Sequence, residues 1–269
     1  MKVLLTNDDG IQAQGLNELR RALLGTPGVE LSVIAPDSNR SATARSITTR
    51  RPLSVEEIEF EDGSTGFATD GTPVDCVRFA MLGLVERPDM IVSGINHGTN
   101  LGDDITYSGT VAAALEGVVL GIPAIAASQQ SIGGELDFRA GYTYEFEAGA
   151  AFVARLVGEL ERVPIPEGTL LNINVPCDKP TGARACRLGK RIYRDRLQLM
   201  EETDGRRRYR IYGHQPGFHE EEGTDFEAIG EGAIAVTPLH FDLTDTAGVE
   251  ALRGFDLDGL LRPAAQEVE

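Results

Sequence analysis

The chain contains no tryptophan, only three lysines (Lys2, Lys179, Lys190), three cysteines and four histidines in 269 residues. With lysine nearly missing, arginine carries almost all of the positive charge, and the formal net charge is −17. So acidic a surface repels phosphate backbones, which excludes nucleic acid as a main partner. The interleaved aromatic and basic residues of an RNA-binding platform are also missing. Acidity with so little lysine suits a protein kept soluble in high salt; a GC-rich genome would also favour arginine over lysine. The cysteines, Cys76, Cys177 and Cys186, are odd in number and lack metal-type spacing, so they read as reduced thiols of a cytoplasmic protein. No apolar run approaches the roughly 18 residues of a membrane span, and no basic-plus-apolar leader precedes the first strand. Neither membrane insertion nor secretion is expected.

What is present is a repeated strand–helix pattern. Val3-Leu4-Leu5 reads as a short buried strand, Leu16, Leu19, Leu23 and Leu24 recur at helical spacing, and "VELSVIAPD" (29–37) reads as a second strand. Two strands flank the turn Asp62-Gly63, and Val74 to Leu84 reads as a helix with Thr72 as N-cap and Pro73 at its first position. "PDMIVSGIN" is a further strand, "SGTVAAALEGVVLG" a helix, "IPAIAAS" a strand, 144–162 a long helix and "GTLLNINVP" a strand. The expected fold is a three-layer, Rossmann-like α/β core over 1–176 with a mostly parallel sheet. Residues 177–269 form a C-terminal, β-rich extension: an arginine- and tyrosine-rich hairpin around Asp204-Gly205, a last strand within Gly232–Thr244 and a short helix.

Ligands of open parallel sheets bind outside the carboxyl ends of the strands. Those ends carry Asn7-Asp8-Asp9-Gly10, then Asp37-Ser38-Asn39-Arg40-Ser41, then Asn96-His97-Gly98 with Asn100, Asp103 and Asp104 beyond. Two adjacent carboxylates raise each other's pKa unless a cation sits beside them. A hard divalent ion takes carboxylate, amide and hydroxyl oxygens, a set that Asp8, Asp9, Ser41 and Asn96 could supply. Taken alone, Asp-Asp-Gly is equally what a helix cap and a turn look like. The segment "SGINHGTNLGDDITYSGTVAAALEG" (93–117) adds a helix start at Ser108-Gly109-Thr110, where free N–H groups favour an anion. Ser108 there is also an ordinary N-cap and Thr110 an ordinary first-turn residue.

These segments resemble the survival protein E (SurE) family. The resemblance runs through "LLTNDDG", "APDSNRSATA", "GTPVDCV", the long 93–117 segment, "LLNINVP", "GTDF" and "VTPLHFDLT", over roughly residues 1–245. It implies a metal-dependent phosphomonoesterase acting on nucleoside 5′-monophosphates, with 3′-nucleotides or polyphosphate as further substrates of some members. It implies one divalent metal ion (Mg²⁺ or Mn²⁺) per subunit, held by Asp8, Asp9, Ser41 and Asn96, and a homodimer or homotetramer with exchanged C-terminal segments. "IQAQGL" departs from the family pattern by lacking a proline before Gly15, and 184–222 is idiosyncratic.

On this reading Asp8 or Asp9 orients or deprotonates a water, Asn39, Ser108, Gly109 and Thr110 are candidates for the phosphate cradle, and His97 could protonate the leaving oxygen, though the sequence does not say which residue is the general acid. His214, His219 and His240 have no partner at metal-ligand spacing. The competing class is a regulator without turnover, either a nucleotide sensor or a receiver-like Mg²⁺-binding domain. "RRRYRIYGH" alternates charge with apolar or aromatic residues, as a half-exposed strand does, and its arginines would find carboxylates on a second acidic subunit. A homo-oligomer held partly by 184–245 is therefore expected.

Overall fold

The structure, a computed structural model, describes residues 1–136, 141–211 and 216–261. His214 lies outside the described residues. The elements begin β1 (Lys2–Thr6), α1 (Gln14–Leu24), β2 (Glu30–Pro36), β3 (Val55–Glu59), β4 (Thr65–Thr69), α2 (Pro73–Met81) and β5 (Met90–His97). They continue with α3 (Gly109–Val119), β6 (Ala124–Gln129), α4 (Glu147–Gly158) and β7 (Thr169–Val175). The remainder comprises β8 (Gly182–Ala185), β9 (Arg191–Ile192), β10 (Gln198–Thr203), β11 (Arg206–Arg210), β12 (Gly217–Phe218), α5 (Asp225–Gly230), β13 (Ala233–His240) and α6 (Thr246–Arg253).

Nine strands form one sheet in the order β3-β4-β2-β1-β5-β6-β7-β13-β8. From β4 to β7 every neighbouring pair is parallel, β3 runs antiparallel to β4, and β13 returns antiparallel along β7 with β8 parallel to it. This is the mostly parallel α/β sheet that the apolar runs imply. Successive strand residues face opposite sides. Val3 and Leu5 therefore pack with Leu16, Leu19 and Leu23 of α1 and Val153 of α4, while Leu4 packs with Val77 of α2 and Val111 of α3. Val33 and Ala35 of β2 go to the first side and Ile34 to the second. Each such buried side chain contributes about 1.5–3 kcal/mol, and the helices are sorted to the two faces by this alternation.

Boundaries differ from the sequence reading where local chemistry intervenes. Thr72 and Asp75 form a reciprocal capping box at the start of α2. That helix ends at Met81 rather than Leu84, because Gly83 takes φ +103°, outside the helical region. The helix expected over 144–162 is α4 alone, with a 3-10 turn at Leu160–Arg162 after it. The last strand stops at His240. A six-residue helix, α5, was not expected; Thr224 caps it, and Phe226 and Ile229 pack with Leu101 and Ala235 as a third, smaller core.

Within the extension, β13 and β8 belong to the main sheet, whereas the hairpin of β10 and β11 is exposed at every residue. Residues 212 and 213 of the arm lie outside the described residues. Among the described residues no helix is long and apolar enough to cross a membrane.

Candidate active site

Because β1, β2 and β5 are parallel neighbours, their carboxyl ends open on one edge, and the residues after them meet there. Asp8 is buried and Asp9 half-buried. Thr110, in the first turn of α3, donates its hydroxyl to Asp8 Oδ1 at 2.5 Å. The backbone carbonyl of Asp8 accepts from the Arg40 N–H at 2.6 Å, which draws the loop after β2 over the first motif. Asp9 Oδ1 accepts from Asn39 Nδ2 at 3.1 Å, and Asp9 Oδ2 accepts from the His97 backbone N–H at 2.9 Å. The loops after β2 and β5 and the start of α3 are thus bonded to a single pair of carboxylates on the loop after β1.

Glycines make the approach possible. A Cβ on Gly109 would lie 2.8 Å from Asp8 Cβ and 3.0 Å from its Oδ2, so the helix start fits against Asp8 only without a side chain. A Cβ on Gly15 would stand 2.1 Å from the Ile95 carbonyl oxygen. That contact explains Gly15 independently of the missing proline: Ala13, with extended φ/ψ (−62°, 139°), starts α1 without one.

Ser41 and Asn96 sit on the loops that carry Asn39 and His97. Ser41 donates its backbone N–H to Asn39 Oδ1 at 2.9 Å, and its side chain is exposed. Asn96 donates its Nδ2 to the Gly98 carbonyl at 2.7 Å, which leaves its Oδ1 as the end available to a ligand. Neither side chain bonds a carboxylate of the pair. Ser108 accepts the Val111 N–H on its hydroxyl at 3.0 Å, as an N-cap, and Thr110 is engaged on Asp8. The backbone N–H groups of Gly109 and Thr110, at the first helical positions, have no intrahelical acceptor.

Burial, and then the charge of Asp9, push the Asp8 carboxyl well above the usual carboxylate range, against the Thr110 hydrogen bond. Burial pushes Asp9 up as well, opposed by the His97 N–H. His97 is lowered by burial, against the attraction of Asp8. Its Nε2 accepts from the Gly15 N–H at 3.3 Å, which assigns the ring proton to Nδ1, 3.9 Å from Asp9 Oδ1. The imidazole stacks on Tyr144 and packs against Phe146, with ring centres 5.2 and 5.0 Å away. Among the described residues no lysine or arginine pairs with Asp8 or Asp9, and no group of three or more histidine, cysteine or acidic side chains is arranged to hold a metal ion. The nearby donors are carboxylate, amide and hydroxyl oxygens, a set that fits a hard divalent cation rather than one seeking sulfur and imidazole.

The family model of the survival protein SurE matches residues 3–195. The chain belongs to the SurE family. It is 50% identical over 266 residues to the 5′-nucleotidase SurE of Rubrobacter xylanophilus, covering 97% of this chain and 99% of that protein. It is 45% identical to the 5′-nucleotidase SurE of Chloroflexus aggregans, covering 95% and 99%. A crystal structure of the SurE protein of Aquifex aeolicus matches with a TM-score of 0.78 at 37% identity, covering 94% of this chain and 99% of that one.

Several supports of this SurE site escaped the sequence reading. Asn100 is buried in a polar knot: its N–H donates to Asn174 Oδ1, its Nδ2 to the Ser128 hydroxyl, and its carbonyl accepts from Asn172 and Asn174. The signal was available, because Asn172 and Asn174 alternate with apolar residues in a strand that is buried along its whole length. The Asp104–Arg191 pair, both side chains fully buried, joins the 3-10 turn Gly102–Tyr107 to β9. No local pattern links residues so distant in sequence. His240 accepts the Asp242 N–H, and His219 is exposed; neither approaches the carboxylate pair through any hydrogen bond described.

Proposed function

We propose that this chain is a 5′-nucleotidase that hydrolyses nucleoside 5′-monophosphates to nucleoside and phosphate, using one divalent cation, Mg²⁺ or Mn²⁺, per subunit. The observation that carries the proposal is the enclosed carboxylate pair, bonded to the loops after β2 and β5 and to the start of α3. Relatives named 5′-nucleotidase at up to 50% identity support the same reaction class. Asp8, Asp9, Ser41 and Asn96 would hold the cation, which when bound supplies positive charge to the phosphoryl oxygens and acidifies water.

The chain's own groups then have distinct tasks. Thr110 fixes one oxygen of Asp8 and so aims the other. Asn39 ties Asp9 to the Ser41 backbone and holds the two loops in register. Each Asp9 oxygen accepts one hydrogen bond from the chain and retains a lone pair with which to orient or deprotonate a water. The free N–H groups of Gly109 and Thr110, at the positive end of α3, stabilise negative charge on the transferring group. His97 carries its proton on Nδ1, beside Asp9, where as a neutral imidazole it offers a hydrogen bond to the leaving oxygen while solvent supplies the proton. Asn39, Ser108, Gly109 and Thr110 line the phosphate side of the site.

The protein is taken to be cytoplasmic, consistent with three unpaired thiols. It is taken to be a homodimer or homotetramer. Leu199, Met200, Tyr209 and Ile211 of the exposed hairpin, with Leu243 and Leu252 beyond β13, offer apolar surface to a second copy. The decisive assay is release of free phosphate from AMP with Mn²⁺, an EDTA control, and 3′-AMP and polyphosphate as alternative substrates. A protein that binds nucleotide without releasing phosphate would be the regulator instead.

A further inference from the structure

Glu116 is the one charged side chain in the apolar helix α3, and it is 2% exposed. Its Oε2 accepts from Arg45 Nη2 at 2.6 Å. Arg78, on α2, pairs with the other oxygen by charge, without hydrogen-bond alignment. The two arginines reach this carboxylate from different elements. Arg78 belongs to α2, a regular helix with its own capping box. Arg45 belongs to the strap 38–48, which also carries Asn39 and Ser41.

That strap has little of its own to hold it. It contains no helix or strand, and Ala42 and Ala44 take φ values of 58° and 50°, where side chains with a Cβ are disfavoured. Such a conformation persists only when surrounding contacts over-determine it. The contacts are spread along its length. Arg40 N–H is bonded to Asp8, Ala44 N–H to the Tyr107 carbonyl at 3.2 Å, Ser46 accepts from Thr72, and Thr48 N–H is bonded to Asp75. Arg45 is the strap's ion pair to a buried partner, and its guanidinium also lies 4.5 Å from the Phe241 ring centre. Glu116 lies on the same helix whose first turn abuts Asp8. One rigid element therefore references both Asp8 and the strap.

We propose that Arg45 and Glu116 are positioning residues, a buried clamp that sets Ser41 and Asn39 against the Asp8–Asp9 pair. Neither touches a reacting atom; they act through the strap. The inference rests on the cation-site reading above, since that reading gives Ser41 something to bind. It adds a demand that the strap be clamped before the cation is held well.

The contrast between the two arginines supplies the test. Metal-free protein is titrated with Mn²⁺ alone by calorimetry, and amide exchange of residues 38–48 is followed without metal. Arg45→Met keeps an apolar stem for Phe241 and should raise the Kd for Mn²⁺ by about 10- to 100-fold, the range for residues that orient metal ligands from behind. Strap amides should exchange faster. Arg45→Lys, which keeps the charge, should recover part of both. Arg78→Met removes a charge from the same carboxylate but not from the strap, and should leave Kd and strap exchange near wild type. Equal changes in Arg45→Met and Arg78→Met would reduce the clamp to general packing and overturn the proposal, as would an unchanged Kd in Arg45→Met. A wild-type protein that binds no Mn²⁺ would sink the cation reading itself. The exchange measurement would then judge the clamp alone, and unaltered strap amides in Arg45→Met would refute it.

Discussion

Replacing Asp104 by asparagine leaves the shape of the side chain and removes one charge from a fully enclosed ion pair. Both side chains of the Asp104–Arg191 pair have 0% exposure. Arg191 directs Nε and Nη2 to Asp104 Oδ2, Tyr193 donates its hydroxyl to Oδ1 at 3.0 Å, and Arg191 Nη2 also donates to the Leu136 carbonyl at 2.9 Å. Arg191 Nη1 is buried without an acceptor, so the guanidinium depends on Asp104 for its neutralisation. Removing one partner of such a pair costs about 3–5 kcal/mol, because the other charge stays buried. For a chain of this size that lowers Tm by roughly 10 °C. Urea unfolding with a parallel thermal melt measures both. Arg191→Met alone should cost a similar amount, and the double variant Asp104→Asn/Arg191→Met should cost much less than the sum, since no charge is then stranded. An exposed pair provides the control: Arg207, paired with Glu202 in the hairpin at 58% and 45% side-chain exposure, should be replaceable by alanine within about 0.5 kcal/mol. A loss below about 1 kcal/mol for Asp104→Asn, or additive single losses, would refute the reasoning, because the pair would then behave as a solvated one.

Asp8→Asn and Asp9→Asn should each abolish phosphate release from AMP while far-UV circular dichroism stays native; near-wild-type turnover at limiting metal would remove that residue from the cation site. Mn²⁺ at a hundredfold excess over its Kd should stabilise the wild-type fold by about 2.7 kcal/mol, and a melt of Asp9→Asn showing an equal rise would point to charge screening instead. Gly109→Ala should lower kcat/KM about 100-fold, since its Cβ would push on Asp8 from 2.8 Å, and displacements of about an ångström cost that much; unchanged kinetics would mean that the contact yields freely. Ser64 and then Arg20 hold the Asp62 carboxyl down at about 2, below its ordinary value of 3.8, so its stabilisation is present above pH ~4 and is lost as pH falls toward 2. Asp62→Asn should therefore melt below wild type at neutral pH with the gap closing in acid, and a gap constant with pH would refute the assignment.

The edge of the sheet was legible because parallel strands carry their carboxyl ends to one side, so reading which polar residues follow Leu5, Pro36 and Ile95 already groups three loops. The clamp and the knot were not legible for a common reason. Glu116 stands in a helix whose period is apolar all round, and Asn172 and Asn174, though their alternation in a buried strand is visible, name no partner, which in each case lies 71 to 74 residues away. Helix α5 is too short to show a period. A subtler limit appears at α3. The letters Ser108 and Thr110 suggest two hydroxyl donors for phosphate, yet Thr110 spends its proton on Asp8, whereas Ser108 accepts the Val111 N–H and keeps its own. The backbone N–H groups of Gly109 and Thr110, which any residue but proline would supply, also lack an intrahelical acceptor. The choice of glycine at 109 reflects the nearness of Asp8. In this site the side chains of Thr110 and Asn39, with the His97 backbone N–H, hold the carboxylates in place.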